Sequence, residues 1–93
     1  MVDQCQYRRV RIKSNDGLQL RAAAALSFIA SYYPGKLRVK FKHRQADAKS
    51  IIELLCLAAG DSDEIILEAL GPKSAEALDR LEHLIQNGFD VNA

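Results

Sequence analysis

Two periodicities divide this chain. Charged and apolar residues alternate through Arg9, Val10, Arg11, Ile12 and Lys13, which predicts a strand with one wet face over residues 9–13. The alternation returns over residues 36–42. There Leu37, Val39 and Phe41 turn inward, while Lys36, Arg38, Lys40 and Lys42 turn outward. It returns again over residues 64–70, with Ile65, Leu67 and Ala69 on one face. Between these strands the apolar spacing is helical. Residues 20–33 carry several alanines with Leu26, Phe28, Ile29 and Tyr33 as the expected buried stripe, and Pro34-Gly35 stops the run. Residues 51–59 form a second helix. Ser50 with Glu53 three residues on reads as a capping box at its start, and Gly60 closes it. A last helix over residues 75–86 presents Leu78, Leu81, Leu84 and Ile85, with Ser74 as its cap and Asn87-Gly88 as its stop. Residues 43–49 are a polar turn with room for a short edge strand.

Mixed order and one-faced strands predict an α+β fold, an antiparallel sheet with helices on one side. The 93 residues suffice for one such layer pair, so residues 1–93 are read as a single domain. No apolar run reaches membrane-span length, and the start of the chain lacks the charged end and apolar core of a signal peptide. Cys5 and Cys56 have no metal-site spacing. Cys56 falls inside an apolar helical run and is expected to be a buried small hydrophobe. A cytoplasmic setting is expected, with no metal and no cofactor.

The net charge of +1 hides an asymmetry. Residues 1–50 hold eleven basic and three acidic residues, and residues 51–93 hold two basic and nine acidic, so the halves carry +8 and −7. Either the halves face each other or the basic half meets an anionic partner. Lys36, Arg38, Lys40, Lys42 and Arg44 supply much of the positive charge. No aromatic residue interleaves on that outward face to stack bases, and Glu64 and Glu68 can pair with it across the sheet. The face is therefore expected to be solvated rather than to bind nucleic acid.

Three features are candidates for chemistry. Gly17-Leu18-Gln19-Leu20-Arg21-Ala22-Ala23 delivers polar side chains onto a helix start, where phosphate is commonly held. Arg21 is either a phosphate ligand or a solvated first-turn residue that opposes the helix dipole. Ser50 is an N-cap, and a phosphate on it would be tolerated beside the positive helix end, with Lys49 as a nearby cation. The second helix is apolar most of the way round. Leu54 and Leu57 are expected to cover the sheet, leaving Ile51, Ile52 and Leu55 as an exposed patch of the kind that marks partner surfaces.

The first run resembles the active-site loop of the HPr family, the small phosphocarriers of the bacterial sugar phosphotransferase system. That loop reads Gly, aliphatic, His, small, Arg, small, small. Lys49-Ser50-Ile51-Ile52-Glu53-Leu54, with Leu57 and Ala58, resembles the family's segment around a regulatory serine. The resemblance covers about residues 7–88. It implies an open-faced sandwich, a four-stranded antiparallel sheet covered on one face by three helices. It also implies that partners dock at Leu20, Ile51, Ile52 and Leu55.

The chain departs from the pattern in three places. Gln19 stands where the family has its phosphoryl-accepting histidine, Leu20 where a small residue is usual, and His43 where a turn glycine is common. The lone pair of a carboxamide nitrogen is delocalised into its carbonyl, so Gln19 neither attacks phosphorus nor carries a labile phosphoryl group. His43 and His83 lie in other elements. The chain then resembles a catabolite-repression branch of the family that has glutamine for histidine and keeps the serine. This implies a non-catalytic regulatory module switched by phosphorylation at Ser50, whose partners are a phosphotransferase-system component, an HPr kinase or a transcription regulator. The alternatives are a phosphocarrier using another residue and an interaction module without phosphorylation.

Overall fold

The computed structural model describes residues 5–92. Its elements are β1 (Cys5–Arg11), α1 (Leu20–Ala30), β2 (Lys36–Phe41), β3 (Arg44–Asp47), α2 (Ile51–Cys56), β4 (Glu64–Leu70) and α3 (Ser74–Gln86). The strands form one antiparallel sheet in the order β1-β4-β2-β3. The inward residues of the strands, among them Val10, Leu37, Val39, Ala46, Ile65, Leu67 and Ala69, meet Leu26, Leu54, Leu57, Leu78, Leu81 and Ile85 of the helix layer. Burying each of the larger side chains stabilises the fold by about 1.5–3 kcal/mol, which makes this interleaved layer the main source of cohesion. The other sheet face is open.

Several boundaries differ from the pattern. β1 starts at Cys5 rather than Arg9, and it pairs with β4 from Cys5↔Leu70 to Arg11↔Glu64. Being at an edge and partly exposed on both sides, its first half shows little alternation. Arg8, on the helix side, pairs with Asp79 and Glu82 of α3. α1 ends at Ala30, three residues early, and it buries its alanine stripe (Ala22, Ala23, Ala25) with Leu26. Phe28 is 53% exposed, so its expected place in the core is wrong: the buried side of α1, which packs against α2 and α3, is lined by the small alanines and Leu26. α2 is only six residues long, because Ala58 takes a left-handed φ of 57° and Leu57 and Ala58 close the turn with i→i+3 bonds.

Cys56 is exposed, against expectation, because the single inward stripe of this short helix is taken by Leu54. Nor is Ser74 the cap of α3. Lys73, at φ 57°, holds that position, and Ser74 begins the helix with its Oγ buried and unpartnered among the described residues. At the β2–β3 hairpin the left-handed residue is Lys42 (φ 56°), not His43.

Candidate functional site

Gly17 makes the first candidate loop possible. Its φ of +67° is in the left-handed region, and an added Cβ would stand 2.7 Å from the Ala59 oxygen. Leu18 is buried and its N–H donates to the same Ala59 carbonyl at 2.9 Å. The loop is thereby tied to the chain just after α2, and Gln19 is presented, exposed, as the N-cap of α1. Its extended backbone (φ −98°, ψ −169°) accepts from Ala23 N–H, while its side chain makes no cap hydrogen bond. The first N–H groups of α1 thus point toward solvent beside a carboxamide.

Arg21 is neither a free phosphate ligand nor merely solvated. Its guanidinium donates to the carbonyls of Gly88 (3.1 Å) and Phe89 (3.3 Å), just past the end of α3. A cation that is unfavourable at the start of α1 is favourable at the carbonyl-rich end of α3. Sequence spacing gave no sign of this contact, which joins residues 67 and 68 positions apart.

At the other candidate, Ser50 Oγ accepts from Glu53 N–H at 3.2 Å, the expected cap. The reciprocal half of the capping box is missing, because Glu53 Oε1 accepts instead from Asp47 N–H at 2.9 Å. Lys49 is not a free cation beside the serine. Its ammonium donates to the carbonyls of Tyr33 (2.6 Å) and Gly35 (3.0 Å), holding the chain that leaves α1. Ser27 Oγ of α1 donates to the Lys49 carbonyl at 2.9 Å. Removing the cap, Ser50→Ala, is expected to cost about 1 kcal/mol, read as a lower urea midpoint at unchanged slope.

The Gly17–Ala59 and Ser27–Lys49 contacts fix α1 antiparallel to α2. Gln19 lies at the end where α2 finishes and Ser50 at the end where it starts. At the rise of a helix, the eight positions from Gln19 to Ser27 span about 12 Å. Leu20 (64% exposed), Ile52 (75%), Ile51 and Leu55 (both 37%) are open to solvent on this helix pair. Phe28 and Leu20 are two helical turns apart on one stripe of α1. Phe28 packs edge-on against Tyr32, itself exposed, so aromatic surface that the periodicity assigns to the core extends the patch.

The open sheet face is organised by Glu68. In register, Tyr7 of β1, Glu68 of β4 and Arg38 of β2 form one cross-strand row. Glu68 is 8% exposed and pairs with Arg38 and Lys40, each at 3.6 Å. Burial pushes its carboxyl pKa up. Hydrogen bonds from Tyr7 and Cys5 and the charges of Lys40 and Arg38 outweigh that, and the net shift is downward. The Tyr7 phenol is pushed up to about 12, by its hydrogen bond with Cys5 first and with Glu68 second. An aromatic side chain therefore does stand on this face, contrary to the sequence expectation, because β1 begins early enough to include it. Around Glu68 the face carries Arg9, Arg11, Lys36, Arg38 and Lys40 against the exposed acids Glu64 and Asp47.

His43 and His83 are both exposed and lie away from the Gln19 loop, on the hairpin and late in α3. Among the described residues no group of three His, Cys, Asp or Glu side chains is placed to hold a metal ion, and no helix is long and apolar enough to cross a membrane.

The sequence model of the family described as "PTS HPr component phosphorylation site" matches residues 6–87. The phosphocarrier protein HPr of Cupriavidus necator is 41% identical over 73 residues, covering 78% of this chain and 82% of that protein. The HPr-like protein Crh of Bacillus subtilis is 30% identical over 79 residues, covering 85% and 93%. Among solved structures, HPr-C-His from Thermoanaerobacter tengcongensis superposes with a TM-score of 0.86 at 28% identity, covering 90% of this chain and 94% of that one.

Proposed function

The chain belongs to the HPr family of the phosphotransferase system, and from that premise we propose that it is a regulatory protein-binding member that does not itself relay phosphate. The observation that carries this reading is Gln19. The loop frame is intact, with Gly17 left-handed, Leu18 anchored and the start of α1 open, yet the side chain it presents is a carboxamide. An acceptor for this transfer must be nucleophilic near neutral pH and must release the group again; imidazole does both and an amide does neither. Arg21 supports the same reading, since its guanidinium is engaged by the chain after α3.

Partner binding is assigned to the exposed surface of the α1–α2 pair, Leu20, Ile51, Ile52 and Leu55 together with Phe28. Such contiguous apolar surface on a small chain is characteristic of docking sites. Ser50 is the proposed switch, at the edge of that surface. Phosphorylation there would add about two negative charges beside Ile51 and Ile52 while keeping acceptor oxygens for Glu53 N–H. Because Lys49 is already engaged, the new charge would stay available to a partner's basic side chain. The protein partners this implies are a kinase that uses ATP and a transcription regulator or phosphotransferase-system component, in the cytoplasmic setting of the pathway.

Two incubations test the reading. With phosphoenolpyruvate and the system's first enzyme, no acid-labile phosphate is expected on any residue. With ATP and an HPr kinase, acid-stable phosphate is expected on Ser50 and none on Ser50→Ala. Acid-labile label on His43 or His83 would overturn the first claim, and an unlabelled Ser50 would overturn the switch. Ile52→Asp is expected to abolish capture of the partner while changing stability by no more than about 0.5 kcal/mol, since Ile52 contributes little to the core.

A further inference from the structure

The open face of the sheet has no part in the reading above, yet it is built rather than bare. Glu68 lies beneath the surface and holds Arg38 and Lys40 above it, so within this cluster it is the cations that meet solvent. The Arg9 and Lys36 side chains make no hydrogen bond or ion pair among the described residues. Tyr7 is 58% exposed, and the Lys40 ammonium lies 5.4 Å from its ring centroid. Alternate residues along each strand are about 6.7 Å apart, so cations on neighbouring strands form a regular grid.

We propose that this face binds single-stranded RNA, following its phosphates with Arg9, Lys36, Arg38 and Lys40 and stacking a base on Tyr7. Charge complementarity selects a polyanion, and the aromatic ring selects one that carries flat bases rather than an acidic peptide. A four-stranded sheet backed by helices, with an aromatic on its open face, is a platform on which unstacked bases are read. The bases of a duplex are not available to a flat surface, and RNA is the nucleic acid met as exposed single strands. Glu64 and Asp47 lie on the same face and lower its net charge, and there is one aromatic rather than several. Binding is therefore expected to be modest, indifferent to base sequence and steeply dependent on salt.

The test is fluorescence anisotropy with a short labelled oligouridylate and the full chain, titrated between about 50 and 200 mM salt. Binding is expected to weaken across that range. Arg9→Gln, which breaks no contact, is expected to reduce the salt slope by about 0.7, the value of one phosphate contact on a single strand. Tyr7→Leu is expected to weaken binding about tenfold, whereas Tyr7→Phe keeps the ring and the affinity. Thermal melts of each variant establish that it is folded, and Arg9→Gln with Tyr7→Phe decides the matter if Tyr7→Leu is not. The proposal is overturned if the oligouridylate binds no better than polyglutamate of equal length. It is equally overturned if an oligothymidylate is preferred, or if folded Tyr7→Leu binds as well as the native chain.

Discussion

Gln19→His is expected to turn an inert chain into one that accepts phosphate from phosphoenolpyruvate through the system's first enzyme. Labelling should go from undetectable to the greater part of the chains, and the label should be acid-labile. The frame for an imidazole is already present: an exposed N-cap position, a glycine that sets the preceding turn and open N–H groups at the start of an eleven-residue helix. What is missing is one nucleophilic nitrogen. Transfer onward should be slower than in an ordinary carrier, because the Arg21 guanidinium would have to leave the Gly88 and Phe89 carbonyls to reach the phosphate. If Gln19→His stays unlabelled while folded, the frame is not intact and the loop has lost more than its side chain. If the native chain is labelled as strongly as the variant, the claim about glutamine is wrong.

Gly17→Ala is expected to be the most damaging single-methyl change in the loop. Two costs add. An alanine at φ +67° costs about 1–2 kcal/mol, and its methyl would meet two backbone atoms, the Ala59 oxygen and the Gly60 Cα, both at 2.7 Å. Backbone cannot swing aside as a side chain can, so overpacking contributes a further 1–3 kcal/mol or so. The total, about 2–5 kcal/mol, corresponds to a fall in Tm of upwards of about 10 °C for a chain of this size. Gly88→Ala is the control. Its φ is nearly the same at +69°, but the nearest atom to an added methyl is the Lys13 oxygen at 3.6 Å, an ordinary contact. It should lose only the conformational part, about 1–2 kcal/mol. Equal losses at the two glycines would show that the contact with Ala59 and Gly60 contributes nothing.

The residues that signalled the fold most clearly were those whose environment is decided within a few positions. β2 and β4 alternate because one face is buried and one is wet, and α3 carries its leucines at the spacing that the sheet demands. The Ser50 cap was legible for the same reason, since donor and acceptor are three residues apart. Long-range partners were not legible. Nothing near Arg21 announces the carbonyls at the far end of α3, and nothing near Lys49 announces those of Tyr33 and Gly35. Phe28 misled because helical spacing does not say which side of an alanine-rich helix turns inward, and α1 packs against α2 and α3 through its alanines and Leu26. Tyr7 was hidden because a polar edge strand has no period to read. The surface of α2 was legible as surplus, since six apolar residues in seven positions cannot all be covered by one short helix.

The Arg21 clamp bears on how this protein can be handled. Phe89 is 1% exposed, and its carbonyl and that of its neighbour Gly88 accept from the Arg21 guanidinium, so the stretch just past α3 is part of the interior rather than a dispensable tail. Proteolytic trimming after Asn87 would remove a core aromatic and release a cation directly beside Gln19 in one cut. An affinity tag fused beyond Val91, which is exposed, leaves both in place. A truncated preparation and an extended one would thus differ in the charge they present at the head of α1 as well as in how well they fold.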